Sequence, residues 1–330
     1  MTLPGLIGSV RRSRRQVLGW AGGTVGAAIA ATWWATRQSS PSPQVPPPIT
    51  APLPPGVGYD PYALVRDFDY GRLIHEQGRP IREFEVTARS VPLQLNQAIT
   101  YVSWNLNGRV PGPTLRARAG ERLRIRFHNA DGHSHSLHFH GRHSAAMDGV
   151  EPIRHGDTMV YEFDAEPFGL HPYHCHIAPV TRHISKGLYG LLIIDPPQSR
   201  PPADELVLVM GGYDLQDRGQ NDLYAFNGIP NIYRDRPIQI YQNQRIRLYL
   251  LNMIEWDAAV SFHIHANLFQ VFPTGRTLQP SQETDVITLG PAERHILEFT
   301  YPLPGQYMFH PHQDHLAEKG CMGVFEVLPT

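Results

Sequence analysis

Four of the His-x-His pairs in this 330-residue chain stand in equivalent places: His138/His140, His174/His176, His263/His265 and His310/His312. In extended backbone, residues i and i+2 point to one face and i+1 to the other, so each pair aims two imidazoles the same way. A single such pair could be a chance feature of a polar strand. Four in equivalent places make a set of eight imidazoles, and neutral imidazole binds copper, zinc, iron or nickel. Cys175 turns the question from metal to mechanism. It lies between His174 and His176, so its sulfur faces away from their rings. A thiolate with two histidines and a weak axial ligand is the blue-copper electron-transfer site. His135, three residues before His138, and His183, eight after Cys175, are the candidate histidines; Leu188, five beyond His183, falls at the axial place. One stretch of backbone would then join a mononuclear copper to a second metal cluster through covalent bonds. A zinc reading leaves Cys175, His135 and His183 unexplained.

The elements that position these residues read as strands. Arg122-Leu123-Arg124-Ile125-Arg126-Phe127 alternates charged and apolar residues, the mark of a half-buried strand, and Arg245-Ile246-Arg247-Leu248-Tyr249-Leu250 nearly repeats it. Asn107-Gly108 and Asn227-Gly228 precede the two strands. Gly190 and Gly323, each followed by an apolar run, close the two halves. Matched features stand 120 to 136 residues apart, which is a duplicated domain rather than a short solenoid repeat. Short strands punctuated by Pro and Gly predict an all-β fold of two tandem Greek-key β-sandwich or barrel domains. The boundary is expected near Pro196–Pro202, giving domains at 59–200 and 201–330.

The first 36 residues read as an address. Ser13-Arg14-Arg15-Gln16-Val17-Leu18 resembles the twin-arginine export signal, and an uncharged run follows from Val17 to Thr36. Ala28-Ile29-Ala30 offers a small-x-small cleavage site; a retained segment would anchor the chain in a membrane instead. Either way the body is expected outside the cytoplasm, periplasmic or extracellular. Residues 37–58 are a proline-rich tether. With 29 Lys+Arg against 30 Asp+Glu the chain lacks the basic surplus of a nucleic-acid binder. At 41% hydrophobic residues it is no polytopic membrane protein. Two cysteines among 18 histidines cannot build a disulfide framework.

Taken together, His138-Phe139-His140-Gly141, His174-Cys175-His176-Ile177, His183 to Gly190, His263-Ile264-His265 and His310-Pro311-His312 resemble the motifs of the multicopper oxidases. The likeness is to two-domain, laccase-like members that keep the blue copper in their first domain, with cupredoxin-like folds. It implies about four copper ions per chain: one type 1, one type 2 and two type 3. By that resemblance His135, Cys175, His183 and Leu188 form the type 1 site, and His138 and His263 hold type 2. One type 3 ion takes His140, His174 and His312; the other takes His176, His265 and His310. The reaction implied is one-electron oxidation of a reductant at the blue site, coupled to reduction of O2 to water. An aromatic or phenolic reductant is the default; a metal ion or a redox protein is the alternative. Leu188 donates no electron pair, which favours Cu(I) and raises the potential. The second domain has Val260, Pro311 and Cys321 where His135, Cys175 and Leu188 stand, so it keeps cluster ligands and lacks a blue site. Cys321 reads as a free, buried thiol.

Asp148, in Met147-Asp148-Gly149, resembles the family's acidic residue near the type 2 copper, while Asp314 and Glu318 are weaker candidates for supplying protons. The remaining histidines, His75, His128, His133, His143, His155, His171, His295 and His315, read mostly as surface or supporting residues. Two-domain members form trimers, so the resemblance implies a homotrimer with a cluster between subunits. A copper nitrite reductase is the nearest alternative, but His176 occupies a place where that family lacks a histidine. A copper-binding or resistance protein without turnover is the other; its expected methionine repeats are missing, with only 7 Met in the chain.

Overall fold

A computed structural model describes residues 43–46 and 59–330. The export segment at 1–36, and the tether apart from 43–46, lie outside the described residues. Each half of the remainder is a pair of mixed β-sheets facing one another, a cupredoxin-like sandwich. In the first half one sheet carries Arg79–Gln94, Thr100–Leu106, Arg122–Asn129 and Thr158–Asp164, with Arg72–Glu76 at its edge. The other carries Thr114–Arg118, Tyr189–Asp195, Gly169–His174 and the short His138–Phe139 strand.

The alternation in Arg122–Asn129 works as the pattern predicts. Leu123, Ile125 and Phe127 are fully buried. On the other face Arg124 meets Glu76, Glu83 and Glu162 from neighbouring strands. Its counterpart Ile246–Met253 departs from expectation, because every residue in it is buried. The reason lies in the first half. Tyr249 packs edge-on against Phe68, and the guanidinium of Arg116 lies against both rings. Arg247, inside this covered layer, is held by Glu298 at 2.7 Å and Glu205 at 3.3 Å. The second half therefore buries both faces of this central strand.

The repeated closing glycines have a packing cause. Gly190 lies opposite Tyr173 in the ladder, and Gly323 opposite Phe309. In each case the aromatic ring lies across the glycine, and a Cβ there would collide with it. Tyr173 and Phe309 precede His174 and His310, so the same contact fixes the height of the strand that delivers the histidines.

Candidate metal centres

Cys175, His135 and His183 converge in the core of the first half, with exposures of 0, 0 and 5%. Cys175 Sγ is 3.8 Å from His135 Nδ1 and 3.2 Å from His183 Nδ1, and the two nitrogens are 3.2 Å apart. The centre of that triangle is about 2.0 Å from each corner, the length of an ordinary metal–nitrogen bond. The donor set and its spacing thus fit a single copper ion. Three different pieces of chain bring the atoms there. His135 is pinned by a two-way backbone bridge to Ile153, and His183 lies on the short helix Val180–Ser185. Cys175 N donates to the Leu188 carbonyl at 3.0 Å. Leu188 is fully buried in the same core cluster as Cys175. Burial pushes the Cys175 thiol up, so without a metal it keeps its proton; a bound ion would displace it.

Behind His135 stands Asp131, which the sequence reading missed. His135 Nε2 is 2.8 Å from its Oδ2. A carboxylate accepts, so Nε2 carries the proton and Nδ1 is left with its lone pair toward the centre. Burial works to raise the Asp131 carboxyl, but hydrogen bonds from Ser90, His135 and His133 win and hold it well below the usual range. Trp104 covers the site, its ring 4.9 Å from His183 and 5.6 Å from His135.

The four pairs form two groups of four. His140 Nε2 is 3.2 Å from His174 Nε2 in the first half, and His265 Nε2 is 2.9 Å from His310 Nε2 in the second. His176 and His312 complete the groups, with rings 5.0 Å from His138 and 5.4 Å from His263. Backbone carbonyls fix the ring orientations in matched fashion. His138 Nδ1 donates to Asp148 O (2.9 Å) and His263 Nδ1 to Asp285 O (2.8 Å). His174 Nδ1 donates to Cys175 O (2.9 Å) and His310 Nδ1 to Pro311 O (2.8 Å). Each leaves Nε2 free to bind, the arrangement usual behind a metal. Burial, then neighbouring imidazoles, pushes His140 down to about 3 and His174 down to about 4. Both are neutral at pH 7 and able to ligate.

One correction concerns the strands. The second histidine of each pair lies just past the strand end: the strands stop at Phe139, His174, Ile264 and His310. The chain stays extended by single bonds instead, His140 N to Pro172 O and His265 N to Met308 O, both 2.9 Å. The opposed aim of Cys175 survives, since Sγ faces His183 while the His174 ring faces His140.

Asp148 Oδ1 is 3.2 Å from His138 Nδ1, and Asp285 Oδ2 is 3.7 Å from His263 Nδ1. Asp285 is the second-half counterpart that the sequence reading missed, because it follows His263 by 22 residues where Asp148 follows His138 by 10. Asp314 and Glu318 bound the short helix Asp314–Glu318 beyond His312. Among the described residues, no ion pair or hydrogen bond joins either to a cluster histidine. Of the histidines read mostly as surface or supporting residues, His171 and His295 are buried. Burial pushes His171 down to about 4, and its Nε2 donates to Pro167 O at 2.7 Å. Arg294, from the second half, lines an open cavity of about 600 Å3 with His138, His140 and Asp148. Cys321 is a buried free thiol, and Cys175 is likewise unbridged.

Among the described residues, every ring contact between cluster histidines stays within one half. The second half touches the strand Gly169–His174 with its other sheet: Leu170 N donates to Thr274 O (2.8 Å), and Arg294 Nε to Leu170 O (3.0 Å). His263 and His310 pair with each other on the sheet that does not make this contact.

Family descriptions of multicopper oxidases match residues 88–199 and 200–330. The chain belongs to the multicopper oxidase family. The junction of the two matches falls between Tyr189–Asp195 and Asp204–Tyr213, the last strand of one half and the first of the next. A crystal structure of a multicopper oxidase is 46% identical, covers 84% of this chain and 100% of its own, and superposes with a TM-score of 0.82. The copper-containing nitrite reductase of Neisseria gonorrhoeae is 26% identical over 262 residues, 71% of this chain and 65% of that protein. Laccase-3 of Arabidopsis thaliana is 28% identical over 243 residues, 63% of this chain and 42% of that protein. The matches thus span less than two thirds of these two relatives. This multicopper oxidase family member is similar both to a laccase and to copper-containing nitrite reductases.

Proposed function

We propose that this chain oxidises a reductant one electron at a time at the Cys175 site and passes four electrons to O2, forming water, at the eight-histidine cluster. Copper, when bound, would supply the one-electron chemistry at both places, with about four ions per chain: type 1 at His135, Cys175, His183 and Leu188, type 2 at His138 and His263, and a type 3 pair at the other six histidines. The observation that carries the proposal is the matched convergence of Nε2 atoms, His140 with His174 and His265 with His310. Each half brings a ready-made pair, and His312 and His176 remain to complete the opposite pairs. His174 and His176 adjoin Cys175, so the covalent route between the two sites is a single residue long.

Asp148 lies 42% exposed at the mouth of the cavity beside His138, where it can carry protons from solvent toward the cluster. The reductant is read as an aromatic or phenolic molecule, with a metal ion or redox protein as the alternative. The assembly proposed is a homotrimer in which the first domain of one chain meets the second of its neighbour. Two facts support it: the second half's histidines lie on the sheet that does not contact Gly169–His174, and Val286 and Met308 are exposed beside them. The motif at Ser13–Leu18 supports export by the twin-arginine route.

Nitrite reduction is the second reading, favoured by the likeness to the Neisseria enzyme; the full set of pairs, His176 included, supports O2 over it. The deciding experiment reduces the copper-loaded protein without air, adds O2, and follows the blue absorption. Rapid return with about four electrons consumed per O2, as water formation requires, is the expected result. A band that stays bleached in O2 and returns with nitrite would replace this reading with the other.

A further inference from the structure

Asp131, already placed behind His135, has no part in the proposed reaction, yet it is among the most fully bonded groups around Cys175. Its side chain is buried. Oδ1 accepts from Ser90 Oγ. Oδ2 accepts from His135 Nε2 (2.8 Å), His133 Nδ1 (3.0 Å) and the His133 backbone N–H (3.2 Å). Such a group could serve only to shape the loop between Asn129 and His135. The duplication tests that alternative.

Asn129 anchors the loop: its Oδ1 accepts from Asp131 N, and its Nδ2 donates to His133 O and Ile153 O. In the second half Asn252 makes the same first bond, to the N–H two residues on, although eight residues rather than six then lead to Val260. Its Oδ1 accepts from Ile254 N, and its Nδ2 donates to Leu289 O and Gly290 O. The parallel ladders set the remaining correspondence, with Asn129 opposite Ala88 and Asn252 opposite Met210. Two residues on from these stand Ser90 and Gly212. So Ser90, Asp131 and His135 in the first half answer to Gly212, Ile254 and Val260 in the second. The bond forms beside a buried isoleucine as well as beside a carboxylate. Hydroxyl, carboxylate and imidazole are present together where Cys175 is, and missing together where Pro311 stands in its place. Their common element is the copper site.

We infer that Asp131 is the positioning residue of the blue-copper site: by accepting the His135 Nε2 proton it locks that ring with Nδ1 toward the metal, and its charge favours the oxidised ion. This rests on the reading of Cys175, His135 and His183 as a copper site. The effect opposes that of Leu188, so the potential reflects a balance between an apolar axial neighbour and an anion behind one ligand. Removing a carboxylate from behind a metal-bound histidine typically weakens metal binding about 10- to 100-fold. If that loss falls on the oxidised ion, the potential rises by about 60 to 120 mV, at 59 mV per tenfold change for one electron.

The test uses the full copper-loaded protein with Asp131→Asn, which keeps shape and removes charge, and Ser90→Ala, which removes one donor to Oδ1. The potential is read by redox titration of the blue band, and thermal unfolding of the metal-free proteins controls for folding. Expected are a rise of the stated size for Asp131→Asn, a smaller shift for Ser90→Ala, and metal-free melting close to wild type. An unchanged or lowered potential in a folded Asp131→Asn protein overturns the inference. Should Asp131→Asn not fold, Asp131 is a loop residue first and the inference is overturned on that ground. A wild-type protein without a blue band would instead overturn the site reading, and this inference with it.

Discussion

The geometry of the two halves makes a quantitative prediction about subunit mixing. His140→Asn removes a ligand from the first-domain group and His265→Asn one from the second, while neither touches Cys175, His135 or His183. Each variant alone should keep its blue colour and lose O2 reduction. If the groups meet between chains in a closed ring of three, each interface joins the first domain of one chain to the second domain of the next. An intact cluster then needs a His265→Asn chain followed by a His140→Asn chain. At equal mixing that occurs at about one interface in four for random assembly of a head-to-tail ring. Every mixed trimer carries one intact cluster out of three, so trimers isolated with both tags should recover about a third of wild-type O2 consumption per chain, against about a quarter for the unfractionated mixture. The assay is co-expression of differently tagged variants, isolation of trimers carrying both tags, and oxygen-electrode rates with a one-electron reductant. Clusters built within one chain would give no recovery at any mixing ratio. Mixed-tag trimers with no activity would therefore refute the argument from the sheet that carries His263 and His310.

Other outcomes follow from individual contacts. Asp148→Asn should slow reoxidation by O2 about 100-fold or more, within the range for loss of a proton-transferring group, while leaving the potential of the blue band unchanged; stopped-flow reoxidation reads this. Asp285→Asn should act in the same direction, more weakly because its carboxylate lies farther from its histidine, 3.7 Å against 3.2 Å. Gly190→Ala and Gly323→Ala should each destabilise by about 1–3 kcal/mol or more through overpacking against Tyr173 and Phe309, which denaturant titration of the metal-free protein measures. The metal-free protein should also lose stability as pH falls from 6.5 toward 4. His171, His174 and His183 are pushed down to about 4, chiefly by burial. In that window the unfolded chain takes up protons that the folded chain refuses. The loss is at most about 1.4 kcal/mol per pH unit for each histidine, and a flat stability profile between pH 6.5 and 4.5 would contradict it.

The ligand pairs were legible because they depend only on the period of extended backbone, which needs no tertiary information. Cys175 was legible for the same reason, and its opposed aim holds even beyond the last ladder bond at His174. Groups that reach a site through loop closure were not. Asp285 follows His263 by 22 residues where Asp148 follows His138 by 10, so no fixed spacing marks it, and the bonds that orient both histidines go to backbone carbonyls, which carry no residue code. Arg294 comes to the His140 cavity from the other domain. Arg247 reads as a solvent-facing strand residue and is buried because Tyr249 and its neighbours are covered by Phe68 and Arg116 of the first half.

The duplication is itself an instrument for separating fold from function. Where the halves agree, the cause is architectural: Asn129 and Asn252 make the same bond to the N–H two residues on, and Gly190 and Gly323 admit the same kind of ring. Where one half keeps a polar group and the other carries an apolar one beside the same asparagine bond, the polar group serves chemistry, because the fold has shown that it does without it. Ser90, Asp131 and His135 against Gly212, Ile254 and Val260 meet that condition in three neighbouring positions at once. Pro311 in the place of Cys175 meets it too, since the flanking His310 and His312 still ring His263 in the same way as His174 and His176 ring His138. On the proposed reading the second domain keeps its half of the cluster without a blue site, and electrons for His263, His265, His310 and His312 would come from a cysteine in a first domain.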